Sequence, residues 1–218
     1  LRWLQARLIS RRRARTAEAI YAHLGGRSPI LEGSQAQARA LQDVLNQAAA
    51  EGDEARVFVA MRYWRPRAGE VVAEVARWAP QRLVLLPLYP QYSTTTSASS
   101  LAEWRRLAAR QGLDPPTWAV CCYPRQPGFI AALAGGLRRT LEEMRAQGQR
   151  PRLLLSAHGL PQRLIERGDP YQWQVEETAA ALLAALGDED AQAVICYQSR
   201  VGRLAWIGPS TEDEIRRA

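Results

Sequence analysis

Apolar residues follow two different spacings along this chain. Short unbroken apolar runs are typical of strands buried on both faces of a parallel sheet, and they lie at 56–61, 83–88, 117–122, 152–155 and 192–197. Between them, apolar residues recur every three or four positions, which predicts helices. These helices lie between Ser34 and Gly52, from Val71 to Trp78, up to Gly112, from Pro127 to near Gly148, and at 162–167, 170–186 and 212–217. The alternation predicts an α/β protein with parallel sheets, built from two βαβ units joined near Tyr89.

The first 24 residues predict a basic helix, in which apolar residues such as Trp3 and Leu8 alternate with Arg2, Arg7 and the arginines of 11–13. A helix docked on the protein by its apolar side is one interpretation. Contact with a membrane surface is the other. Ser34 is predicted to cap the next helix, with Gln37 at the capping-box position.

The stretch 152–161 centres on His158, which lies just past the end of an apolar run. Ligands bind outside the carboxyl ends of strands in open α/β sheets. Gly159 allows a sharp turn beside the imidazole, and Asp169 is predicted to cap the helix that Pro170 opens. A single histidine is often only structural, but its position here favours a chemical role.

The stretch 89–100 is rich in hydroxyl groups and follows the run 83–88. Two interpretations stay open. The segment is a linker or plain helix start, or it is a row of hydrogen-bond donors at a helix N-terminus that faces a ligand.

Composition narrows the class of partner. The chain of 218 residues has 29 basic and 22 acidic residues, a net charge of +7, and no lysine. Neither an RNA-binding aromatic motif nor a zinc-finger spacing accompanies this charge, which disfavours nucleic acid. Three cysteines without a C-x-x-C spacing indicate a reducing compartment. No apolar run approaches the ~18 residues of a membrane span.

Four segments are predicted at the carboxyl ends of strands: Arg62 with Tyr63, 89–96, His158, and 198–200. A shared cleft with aromatic walls, arginine at its rim and one imidazole suits a large flat apolar ligand that carries carboxylates. A nucleotide would require a glycine-rich loop, which is absent. Ser156 or Ser199 lacks the G-x-S-x-G context of a hydrolase nucleophile.

Five motifs carry a family resemblance: YPQYSTTT at 89–96, SAHGLP at 156–161, RGDPY at 167–171, YQSRVG at 197–202 and WIGP at 206–209. Together with residues 21–29 they resemble bacterial ferrochelatases, the enzymes that insert ferrous iron into protoporphyrin in haem synthesis. The resemblance covers nearly the whole chain. It implies two Rossmann-like, chelatase-type domains with parallel sheets and a porphyrin cleft between them. We assign residues 1–88 and 89–218 to these domains.

The resemblance also assigns site residues. His158 corresponds to the family's active-site histidine, which binds the incoming metal, accepts pyrrole protons, or does both. The residues expected to contact the macrocycle or its propionates are Tyr21, Ser28, Arg62, Tyr63, Tyr89 and Ser93, with Arg62 as the expected ion-pair partner. The family's second, acidic metal ligand is expected beyond Ala218, and a first strand before Leu1, so we expect a fragment that is inactive or very weakly active.

Further expectations follow from the resemblance. Substrates are protoporphyrin IX and ferrous iron, and the location is cytoplasmic or peripheral on the inner membrane. Thr94 stands where animal members have a cluster cysteine, so we expect no iron–sulfur cluster and no cofactor beyond the iron substrate. Two alternatives are a cobalt or nickel chelatase for another tetrapyrrole and a non-catalytic porphyrin-binding module.

Overall fold

A computed structural model describes residues 10, 14, 18–19, 21–23, 25–187, 192–200, 202 and 204–218. The chain divides into two compact units, Leu1–Trp78 and Ala79–Ala218. Residues 79–88 fall in the second unit, where the strand that follows Ala79 pairs with a later one. The predicted domain division after residue 88 stays a prediction. Most of the helix predicted over the first 24 residues lies outside the described residues.

The first unit contains helices α1 (Ile30–Gln47) and α2 (Ala68–Trp78). The valines of α2, Val71, Val72 and Val75, are its buried core. α1 begins directly after Pro29, so the predicted cap at Ser34 is wrong. Proline fits the start of a helix because its ring fixes φ near the helical value and its missing N–H needs no partner there.

The predicted strand at 56–61 is also wrong. Side chains of α1 accept hydrogen bonds from backbone N–H groups of this stretch and of the residue before it. The Val57 N–H donates to Gln42 Oε1 over 3.0 Å, and the Ala55 N–H donates to Asn46 Oδ1 over 2.7 Å. Within the described part of this unit there is no strand for the run to pair with. Its apolar residues pack against α2 instead, where the ring centroids of Phe58 and Trp78 are 5.9 Å apart.

The second unit contains two separate two-stranded parallel sheets. β1 (Leu83–Leu85) pairs with β2 (Thr117–Ala119), and β3 (Arg152–His158) pairs with β4 (Gln192–Gln198). The predicted mixed α/β class with parallel strands is confirmed. β1 ends earlier than predicted, and Pro87, which follows shortly after, has no N–H for a ladder bond.

The described residues of this unit also form five helices: α3 (Ser97–Arg110), α4 (Pro127–Ala146), α5 (Gln162–Glu166), α6 (Tyr171–Leu186) and α7 (Thr211–Arg217). α4 packs against α6, and α7 packs beside β3 and β4. The Gln126 side chain caps α4 by accepting from the Phe129 N–H over 2.7 Å. Pro127 occupies the first turn of α4, as predicted.

The core of the second unit lies next to the carboxyl ends of β3 and β4. Leu160, Val175, Tyr197 and Ile207 form one buried cluster. Residues 205–210 hold this cluster in place, because the Ile207 N–H donates to Leu160 O over 3.0 Å and the Tyr197 N–H donates to Pro209 O over 2.8 Å. In the part of the chain that the structure describes, no helix has the length and apolar character needed to cross a membrane.

Candidate functional site

His158 is the last residue of β3 and lies opposite Gln198 in the register with β4. The histidine is exposed, although the residues that follow it, Gly159 and Leu160, are buried. The predicted position at a strand's carboxyl end is therefore confirmed. An accessible imidazole can accept a proton or bind a metal ion.

Gly159 sits where two backbones approach closely. Its N–H donates to Gln198 O over 2.8 Å. A Cβ at this position would lie 2.9 Å from the same oxygen, 3.3 Å from Arg200 Cγ and 3.4 Å from Trp206 Cε3. Only glycine fits this contact without displacement, and the contact fixes the backbone directly after His158.

Tyr171, the first residue of α6, packs beside His158. Burial raises the pKa of the Tyr171 phenol, a hydrogen bond with the His158 backbone opposes the rise, and the Asp169 charge adds to it. The phenol is therefore neutral at physiological pH. It supports the backbone of the strand end and joins it to the start of α6.

Asp169 binds the hydroxyl-rich segment from the other side of the same helix start. Its Oδ2 accepts from the Ser93 hydroxyl over 2.9 Å, from the Thr94 N–H over 2.8 Å and from the Thr94 hydroxyl over 2.6 Å. Its Oδ1 accepts from the Tyr171 N–H over 3.1 Å, but the N-cap of α6 is Pro170, so the predicted cap at Asp169 lies one residue too early. Ser93 is 0% exposed and Asp169 is 6% exposed. The carboxylate therefore holds residues 93–94 against the N-terminus of α6.

The pKa of Asp169 reflects these contacts. Burial alone would raise it, but hydrogen bonds from Thr94, Tyr171 and Ser93 outweigh burial and lower the pKa below its usual value. Hydrogen bonds to the charged form favour that form. Asp169 is thus an internal carboxylate with its charge compensated by donors.

Two more contacts fasten the same segment to α6. The Tyr92 N–H donates to Gln174 Oε1 over 2.7 Å, and Gln91 Nε2 donates to Thr178 Oγ1 over 2.8 Å. We name residues 91–94, joined to α6 in this way, the α6 tether. Its donors bond within the protein and do not form an open row that faces a ligand. The interpretation of this stretch as a helix start is confirmed for its end, where α3 begins at Ser97.

Three of the predicted site residues lie in the second unit. His158 and Ser93 both lie by the start of α6, through Tyr171 and Asp169 respectively. Tyr89 precedes the α6 tether and is 38% exposed. A contact between Ser93 and a macrocycle stays a prediction, and the Ser93 hydroxyl is already bonded to Asp169.

The other four lie in the first unit. The Arg62 guanidinium lies over the Tyr63 ring, 4.9 Å from its centroid, and Tyr63 is 76% exposed. Ser28 Oγ accepts from the Ile30 N–H over 3.4 Å, and Tyr21 is partly exposed. Their predicted roles toward a macrocycle stay predictions.

No group of three or more metal-binding side chains of the His, Cys, Asp or Glu type occurs among the described residues. Among these residues, His158 therefore belongs to no such group, and a divalent metal requires several ligands. The second, acidic ligand expected beyond Ala218 stays a prediction.

Sequence reasoning missed the α6 tether. Asp169 was identified only as a helix cap, because that role depends on its immediate neighbours. Its bonds to Ser93 and Thr94 span 76 and 75 residues, and Gln174 lies in the helix interior. The two motifs that meet, at 89–96 and 167–171, are both visible in the sequence, but neither specifies a contact with the other.

The whole chain can be compared with known proteins. The profile of the Ferrochelatase family matches residues 1–218. The chain belongs to the ferrochelatase family. Similar members of the ferrochelatase family are the ferrochelatases of Phenylobacterium zucineum, Caulobacter vibrioides and Pelagibacter ubique, which are 52%, 50% and 44% identical to it. These matches cover 99% to 100% of the chain and 61% to 62% of the relatives' own length.

Proposed function

We propose that this chain is part of an enzyme, a lyase, that inserts ferrous iron into protoporphyrin IX to make protohaem. Membership of the ferrochelatase family supports the proposal. The observation that carries it is the exposed imidazole of His158 at the carboxyl end of β3, on a backbone that Gly159 fixes against Gln198.

The chemistry requires two changes. The porphyrin must lose two pyrrole protons, and the iron must exchange water for nitrogen ligands. The imidazole of His158 can accept a proton or bind the incoming iron. Binding of the macrocycle in a fixed position lowers the activation barrier of iron insertion, because it holds the reacting atoms close together. One imidazole is too few ligands for iron, so an acidic partner from outside residues 1–218 belongs to the proposal.

We further propose two Rossmann-like domains of the chelatase type with the porphyrin in a cleft between them. Tyr21, Ser28, Tyr63, Tyr89 and Ser93 would contact the macrocycle. Arg62 would pair with a propionate, because guanidinium binds carboxylates through two parallel hydrogen bonds.

The proposed enzyme has no iron–sulfur cluster. It is located in the cytoplasm, with peripheral contact at the inner membrane. Thr94 supports the first point because a threonine has no thiolate to hold a cluster; its hydroxyl donates to Asp169 Oδ2 over 2.6 Å. Protoporphyrin IX and ferrous iron are the proposed partners, and nucleic acid is not one.

The test is His158→Ala in the full-length enzyme, with His23→Ala as the matched control, since the chain has two histidines. We expect His158→Ala to lower iron insertion by roughly 10²–10⁴-fold, the range of a general acid–base group. Porphyrin binding, followed by fluorescence quenching, should persist. Unchanged insertion would instead indicate a porphyrin-binding module, and preference for sirohydrochlorin with cobalt or nickel would indicate another chelatase.

The 218-residue chain alone is expected to be inactive or very weak, because it supplies one metal ligand. Multiple turnovers of iron insertion by the purified chain would contradict this expectation.

A further inference from the structure

Two adjacent cysteines, Cys121 and Cys122, follow β2 at its carboxyl end. Their Sγ atoms are 3.2 Å apart. Cys121 is exposed and Cys122 is half-buried, whereas Cys196 is fully buried. The pair is therefore the accessible thiol group of this region.

The separation of the sulfurs indicates which chemistry suits them. A disulfide needs sulfurs about 2.0 Å apart and Cα atoms usually ~4.4–6.8 Å apart, but neighbouring residues on a trans peptide have Cα atoms only ~3.8 Å apart. A disulfide between Cys121 and Cys122 would therefore strain the backbone. A single atom that bonds to both sulfurs can span 3.2 Å without closing that gap.

The number of ligands limits the identity of that atom. Tetrahedral zinc takes four ligands, and no cluster of three or more His, Cys, Asp or Glu side chains lies in the described ranges. An ion with linear two-coordination places its sulfurs on opposite sides, farther apart than neighbouring thiols reach. Trivalent arsenic with one organic substituent bonds to two sulfurs on the same side.

We propose that Cys121 and Cys122 form a dithiol site that binds mono-substituted trivalent arsenicals. Two arsenic–sulfur bonds form and the arsenic–oxygen double bond of the arsenoxide breaks. The two thiol protons leave with that oxygen as water, and arsenic stays trivalent. The step needs no oxidant or reductant.

The state of the thiols agrees with this reaction. A hydrogen bond with the Cys122 thiol, together with burial and the charge of that neighbour, raises the pKa of Cys121. The Cys121 thiol is therefore protonated at neutral pH and can supply a proton to the water that forms. A site that relied on a reactive thiolate would require a lowered pKa.

The site borders the α6 tether. Gln174 Nε2 lies 3.5 Å from Cys122 Sγ, while the Oε1 of the same residue accepts the Tyr92 N–H. The Tyr123 N–H donates to Pro90 O over 2.8 Å. An arsenical bound at Cys122 would therefore disturb the Gln174 side chain. The proposed arsenical binding does not depend on the proposed function.

The experiment uses phenylarsine oxide with the reduced chain and intact-mass spectrometry. We expect one phenylarsenic group per chain that survives excess 2-mercaptoethanol and is released by dithiothreitol. Cys121→Ser should retain the group roughly 100-fold less well, because the second bond forms at a high effective concentration. Cys196→Ala, which removes the buried thiol, should behave like the unaltered chain.

Two results would overturn the proposal. One is the absence of a dithiol-releasable adduct on the unaltered chain. The other is equal retention by Cys121→Ser, which would place the arsenical on other thiols. Since Cys121 is exposed, its replacement by serine is expected to leave the fold intact, which circular dichroism checks.

Discussion

The segments that follow β1 and β3 use their polar side chains in opposite ways. After β3, the imidazole of His158 is exposed while the backbone beside it is fixed by the bond from Gly159 to Gln198. After β1, the hydroxyl of Ser93 is buried and bonded to the carboxylate of Asp169. Both segments contact the start of α6.

The difference lies in the partners rather than in the residue types. A polar group that is exposed on a rigid backbone stays available to a ligand, whereas buried polar groups need internal partners. Four donors of Ser93, Thr94 and Tyr171 bond to one carboxylate. The segment after β1 is thus a tether that joins neighbouring elements, and the segment after β3 leaves its imidazole exposed.

Removal of the Asp169 carboxylate should have the largest effect on stability. Asp169→Ala leaves the buried Ser93 hydroxyl and the part-buried donors of Thr94 without their acceptor, and hydrogen bonds to charged groups contribute about 1.5–3 kcal/mol each. We expect the free energy of unfolding to fall by roughly 3 kcal/mol, measured by urea denaturation. The α6 tether should also exchange its amide hydrogens faster.

Glu177→Ala is the matched control, because Glu177 is an acidic residue of the same helix in a 3.0 Å ion pair with the exposed Arg125. Exposed pairs contribute about 0–1 kcal/mol. Equal losses in the two variants would show that Asp169 is no more than a surface charge.

Gly159→Ala should have the next largest effect and tests the other segment. The added Cβ would lie 2.9 Å from Gln198 O, a backbone atom that cannot move aside without disturbing β4. Overpacking of this kind costs about 1–3 kcal/mol, and we expect a loss of about 2 kcal/mol in urea denaturation.

The control is Gly136→Ala in α4, where an added Cβ meets nothing within 4 Å. Alanine in a helix is expected to be more stable than glycine by about 1 kcal/mol. An unchanged free energy of unfolding in Gly159→Ala would mean that the backbones at Gly159 and Gln198 are farther apart than described.

The sequence predicted features that depend on neighbouring residues, but not contacts between residues far apart in the chain. The β3 strand, the position of His158 at its end and most helices depend on neighbours within a few residues, and the apolar spacing predicted them. A place for Asp169 at the start of α6 was predicted for the same reason, although the N-cap is Pro170 and not Asp169. The bonds of Asp169 to residues 93 and 94 were not predicted, because nothing in a carboxylate's own surroundings specifies a partner some 75 residues away.

The missing strand at 56–61 shows the same limit. Its apolar run met the criterion for a buried strand, but a strand needs a neighbour, and the side chains of Gln42 and Asn46 supply acceptors to this stretch and its flank instead. The predicted meeting of Arg62 and Tyr63 with His158 concerns residues of both units and stays a prediction.

Acid should weaken the α6 tether with a smaller effect than truncation, because a protonated carboxyl still accepts hydrogen bonds. The folded pKa of Asp169 is lowered, so its contribution to stability is present above the unfolded value of about 3.9 and is lost as the pH falls through the lower folded value. Urea denaturation from pH 6 to pH 2 should show this loss in the unaltered chain. Asp169→Asn, which has no such titration, should lack that component. Parallel curves for the two proteins would contradict the assignment.

Tyr197→Phe should have the smallest effect and the opposite sign. The Tyr197 hydroxyl is buried without a hydrogen-bond partner among the described residues, and an unsatisfied buried group costs about 1–3 kcal/mol. We expect a gain in the free energy of unfolding of about 1 kcal/mol at pH 7.

Burial, with the nearby Glu176 charge, raises the pKa of Tyr197 to about 12, so the phenol ionises first in the unfolded chain, near pH 10. The contribution of the neutral phenol is full below pH 10 and is lost as the pH rises toward 12. The advantage of phenylalanine should therefore widen over that interval in urea denaturation, and a variant less stable than the unaltered chain at pH 7 would reveal a partner for the hydroxyl.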